Sequence, residues 1–77
     1  MTRLRLVPYR DLRKVAEIAG FHWVRSRGSH NSFRNDQGIT VIIPDHGNVV
    51  IKGPLLAEIL RELGVSHEEY EKILNKQ

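Results

Sequence analysis

Four histidines, His22, His30, His46 and His67, are the side chains of this sequence that can exchange protons near neutrality. The chain has no cysteine, which removes thiolate nucleophiles, disulfides and Cys-type zinc sites together. Ser29 precedes His30 directly, and neighbours on a strand point to opposite faces, so a Ser-His nucleophile pair is geometrically poor. Asp11, Asp36 and Asp45 are scattered and most glutamates lie near the C-terminus, a poor basis for two-metal phosphodiester chemistry. RNA cleavage requires neither, because the substrate brings its own nucleophile, the 2′-hydroxyl. The protein then supplies a base for that proton, an acid for the leaving 5′-oxygen, and positive charge for the crowded phosphorus. His67 opens a helix and is expected to be solvated, and His22 begins a strand on the helix side, which leaves His30 and His46.

The elements that must position them are punctuated by proline and glycine. Pro8 opens a helix that Gly20 closes, with Tyr9, Leu12, Ala16 and Ala19 on its apolar face. From Phe21 the period changes to two, giving strands over 21–27, 29–35 and 39–43. Turns at Gly28 and at Asn35-Asp36-Gln37-Gly38 make the sheet an antiparallel meander, and Pro44 stops its last strand. Gly53-Pro54 opens a second helix with the stripe Leu56, Ile59, Leu60 and Leu63, closed by Gly64. Ser66-x-x-Glu69 is a capping box that starts a short terminal helix carrying Tyr70, Ile73 and Leu74. The expected fold is α+β: a three-stranded antiparallel sheet with helices on one face, in the order α-β-β-β-α plus a short C-terminal helix.

A two-residue turn at Gly28-Ser29 sets Arg27 opposite His30, Arg25 opposite Ser32 and Trp23 opposite Arg34. Those six share one face, while Val24 and Phe33 point to the helices. A three-residue loop with left-handed Gly38 pairs Phe33 with Val41, so Ile39, Val41 and Ile43 join the buried layer. The open face then carries one indole, three guanidiniums and an imidazole. Bases stack on indole and guanidinium forks match phosphate, although the same indole could instead belong to a core poor in aromatics.

At 77 residues the chain suffices for one small domain, residues 1–77, too thin for a deep enclosed pocket. The net charge is only +3, but residues 1–34 hold eight basic side chains against two acidic ones, and the remainder holds four against seven. Such a basic half fits a polyanion as partner, or a merely soluble surface. The longest uncharged apolar run, Gly38 to Pro44, is far short of the ~20 residues that cross a bilayer, and no signal-like hydrophobic stretch begins the sequence. The expectation is a cytoplasmic chain with no membrane contact and no small-molecule cofactor.

Several of these residues occur in a familiar order. Gly28-Ser29-His30, then Phe33, a turn, Ile39-Thr40-Val41-Ile42-Ile43-Pro44 with His46 in a Pro-x-His arrangement, the helix Leu55 to Gly64, and the early helix ending in Gly20-Phe21 resemble the HicA (YcfA-like) toxin family. The resemblance implies a fold like the double-stranded-RNA-binding domain and metal-independent mRNA cleavage by the Gly-Ser-His histidine, here His30. It also implies a type II toxin–antitoxin setting and neutralisation by a HicB-type antitoxin that covers the active face. Two positions depart from the family: Asn31 stands where a larger residue is common, and Gly53-Pro54 removes an N–H from a helix start that could hold phosphate.

The reading that combines these lines is an mRNA-cleaving endoribonuclease toxin with His30 as its catalytic base or acid and no metal. Trp23, Arg25, Arg27, Ser29, Arg34 and Lys52 would contact RNA, and His46 would anchor its loop in preference to serving as an acid partner. The alternative is a non-catalytic RNA-binding module of the same fold, and a third is a protein-interaction module whose face recognises an acidic partner.

Overall fold

Pro8 cannot donate a backbone hydrogen bond, and it stands as the N-cap of the first helix, α1 (Tyr9–Ile18), where no donor is needed. Its carbonyl accepts from the amides of Asp11 and Leu12. Gly20, at φ 94°, lets the chain reverse so that the Phe21 amide reaches back to Ala16 O at 2.9 Å and closes α1. In this computed structural model, which describes residues 3–76, the chain then runs β1 (His22–Arg27), β2 (His30–Arg34), β3 (Thr40–Pro44), α2 (Gly53–Leu63) and α3 (His67–Asn75). The strands form one antiparallel sheet in the order β1-β2-β3. This is the expected α+β architecture.

The β2–β3 ladder has the expected register: Phe33 pairs with Val41 across a loop in which Gly38 takes φ 81°, and His30 pairs with Pro44. Phe33, Val41 and Ile43 are fully buried on the helix side, beneath Leu12, Val15 and Ala16 of α1 and Leu56, Ile59 and Leu60 of α2. Burying each large apolar side chain stabilises the fold by about 1.5–3 kcal/mol. Val15, absent from the stripe expected for α1, is part of this core, whereas Ile39 is not. It lies before β3, in the loop closed by the Asn35 side chain, and remains 45% exposed.

The β1–β2 ladder keeps the expected pairs Arg27–His30 and Arg25–Ser32, then breaks. A bulge between Trp23 and Arg25 leaves Val24 without a partner, so Trp23 pairs with Phe33 rather than with Arg34, which faces His22. The extra residue turns Trp23 to the helix side of the sheet, leaves Val24 38% exposed and puts His22 on the open face with Arg34 instead of the helix side, correcting all three placements. β1 is exposed along its whole length, because the helices cover only the part of the sheet nearer β3.

α3 fastens the beginning of the described chain. The Tyr70 hydroxyl donates to Arg5 O at 2.5 Å, and the Arg5 guanidinium bonds Glu71 and Asn75. Burial pushes the Tyr70 hydroxyl up to about 12. The capping box forms as expected: Glu69 N donates to Ser66 Oγ at 3.1 Å and Ser66 N to Glu69 Oε1 at 2.9 Å, and these bonds hold the Glu69 carboxyl below its ordinary value. His67 departs from expectation, since its Nε2 is buried without a hydrogen-bond partner among the described residues instead of being solvated.

Candidate active site

Alternation along β2 places His30, Ser32 and Arg34 on the side of the sheet away from the helices, and Asn31 and Phe33 beneath. The cross-strand pairs bring Arg27 beside His30 and Arg25 beside Ser32. Together with Ser26 and Ile42 these side chains line an open cleft of about 470 Å³. Neither Arg25 nor Arg27 has a hydrogen-bond or ion-pair partner among the described residues, so both forks face the cleft with all their donors available. Arg34 lies farther along the same face, and its Nε donates to Thr40 Oγ1 at 3.2 Å.

On its other flank His30 borders a second cleft, of about 390 Å³. Here Pro44, paired with His30, leads the chain to His46, which lines the same cleft. Thr40 and Ile42 of β3 form one wall, and Leu55, Glu58, Ile59 and Glu62 of α2 form the other. Glu58 is paired with Arg61, whereas Glu62 has no partner among the described residues. This wall was not visible in the sequence, because the side of α2 that meets the edge of β3 is set by how the helix packs. Its exposed i, i+4 pair of glutamates was the available signal.

The loop that carries His46 is tied by its neighbours. Asp45 N donates to Ser29 O at 2.7 Å, Asp45 Oδ1 accepts from Gly47 N at 2.9 Å, and Val49 N donates to His46 O at 3.2 Å. The His46 imidazole itself has no hydrogen-bond partner among the described residues. Lys52, the N-cap of α2, stands beyond His46 beside Val49, Val50 and Leu55, away from the arginines. Ser29 sits in the turn preceding His30, with its carbonyl occupied by Asp45.

The structure therefore gathers His30, Arg25, Arg27, Arg34 and Ser32 on one open face, brings His46 to its border, and removes Trp23 from it. The bulge is the cause: the indole N–H donates to Asn31 Oδ1 at 3.0 Å on the opposite side of the sheet. Nor do the basic residues of the first half form one surface. Arg10, Arg13 and Lys14 lie exposed on α1, where Arg10 bonds Asn48 and Arg13 pairs with Glu17.

Among the described residues no three His, Asp or Glu side chains converge as metal ligands, and no helix is long and apolar enough to cross a membrane. What this face offers is a proton-exchanging ring between two clefts, one lined by cationic forks and the other partly apolar and edged by carboxylates. No curated protein matches the chain. The profile of the family described as "HicA toxin of bacterial toxin-antitoxin" matches residues 9–65, from the start of α1 through the whole sheet to just past the end of α2. That span is well over half of the 77 residues, and the chain belongs to the HicA toxin family of bacterial toxin–antitoxin systems.

Proposed function

We propose that this toxin is an endoribonuclease that cleaves mRNA in the cytoplasm by metal-independent acid–base chemistry, and that a HicB-type antitoxin neutralises it by covering the His30 face. The observation that carries this reading is the position of His30 on the border shared by the arginine cleft and the His46 cleft. A phosphodiester lying across that border has its charge met by Arg25 and Arg27. The His30 imidazole takes the 2′-hydroxyl proton as the oxygen attacks phosphorus. The bond to the 5′-oxygen breaks, that oxygen leaves with a proton from an acid, and a 2′,3′-cyclic phosphate remains.

His46 fits the acid better than an anchor, because Asp45 and the backbone hold the loop and leave the imidazole uncommitted. Arg34 extends the phosphate-binding strip, the Ser29 hydroxyl and Lys52 are further contacts to RNA, and Trp23 has no part on this face.

The test is cleavage of an end-labelled single-stranded RNA in the presence of a metal chelator. The parent chain should produce fragments ending in cyclic phosphate, and His30→Ala should lower the rate about 10²–10⁴-fold with an unchanged melting temperature. A salt-dependent mobility shift that never yields fragments would replace cleavage by a binding-only role. Undiminished cleavage by His30→Ala would remove this histidine from the chemistry.

A further inference from the structure

Asn31, one of the two positions that depart from the family pattern, is a polar side chain buried to 8% exposure. Both ends of its amide are occupied. The Trp23 indole can only donate, so the 3.0 Å contact fixes Oδ1 toward Trp23 and turns Nδ2 to the Ser29 carbonyl, an acceptor, at 3.3 Å. That same carbonyl receives the Asp45 amide at 2.7 Å, and Asp45 Oδ1 receives the Gly47 amide at 2.9 Å. The path Trp23–Asn31–Ser29–Asp45–Gly47 is continuous across the molecule. His30 lies in the chain between two of its members, Ser29 and Asn31, and His46 lies between two others, Asp45 and Gly47.

We infer that Trp23, Asn31 and Asp45 are positioning residues, joined through the Ser29 carbonyl into one frame that sets the His30 and His46 imidazoles against each other for the two proton transfers of RNA cleavage. The inference rests on the cleavage reading above and assigns roles to side chains that touch no substrate. Its physical basis is that acid–base catalysis depends on placement, and a misplacement of about 1 Å can cost on the order of 10²-fold in rate. The bulge in β1 is what brings the indole donor to the side of the sheet where Asn31 lies.

Trp23→Phe keeps an aromatic face and deletes the donor, and Asn31→Ala cuts the path on both sides. Each should lower kcat about ten- to a hundredfold with KM for RNA within about twofold. The double variant should be little worse than either single one, because the path is already open. The ring resonances of His30 and His46 should move in both variants, with those of His67 unchanged. An unaltered kcat in Trp23→Phe, or a raised KM with intact kcat, would overturn the frame, the latter making Trp23 an RNA contact instead. Absence of cleavage by the parent chain would overturn the nuclease reading alone. The ring resonances test the frame without substrate, and it fails if His30 and His46 do not move.

Discussion

The two clefts that meet at His30 are of similar size and opposite chemistry. One presents Arg25 and Arg27 with no partner among the described residues to neutralise them, and the other has walls of Ile42, Pro44, Leu55 and Ile59 edged by Glu58 and Glu62. A polyanion entering from the arginine side meets attraction, and on passing His30 it meets the carboxylate of Glu62, which repels phosphate, beside Glu58 in its ion pair with Arg61. The difference gives the face a direction. On the proposed reading, phosphate would be held on the β1–β2 side, and the less charged part of a nucleotide would cross to the α2 side.

The largest effect on this asymmetry should come from removing the forks. Arg25→Ala with Arg27→Ala should weaken single-stranded RNA binding at least about tenfold at low salt and reduce the slope of log K against log salt by about 1.4, two phosphate contacts' worth. A slope that stays the same would mean that the arginines face water and nothing else. Removing the opposing charges should act in the other direction and less strongly. Glu58→Gln with Glu62→Gln should tighten RNA binding by about twofold per carboxylate, since exposed charges near 10 Å interact by only a few tenths of a kcal/mol in water. Weaker binding by that variant would reverse the assignment and make the carboxylates contacts to the RNA. The smallest effect on the face should come from a change outside it. Ser66→Ala removes the cap of α3 and should cost about 1 kcal/mol in denaturant melts, with RNA affinity unchanged. A concurrent loss of affinity would show that α3 and the clefts are coupled.

Much of the scaffold could be read from residue order because the deciding interactions are local. Gly20 and Gly64 end helices where only a left-handed residue lets the last carbonyls find donors, and Ser66 with Glu69 caps α3 within one turn. The turns at Gly28-Ser29 and Gly38 fixed most of the cross-strand register, and with it the company of His30. Three features were not legible. Nothing in His22-Trp23-Val24-Arg25 distinguishes a regular strand from a bulged one, since the bulge is stabilised by a side-chain bond to a residue eight positions away. Ile39 obeys the inward alternation yet lies outside the layer the helices cover, a matter of their reach. The acidic wall of the His46 cleft depends on the rotation of α2 against β3, and that is decided by tertiary packing.

The bulged hairpin has a practical consequence. Trp23 is the chain's single tryptophan, half in contact with solvent, and its ring nitrogen is bonded to the amide next to His30. Its fluorescence is therefore an intrinsic gauge of this one corner, and breaking that bond changes the light emitted even while the rest of the molecule stays folded. The chain carries its own optical probe, one that needs no attached dye.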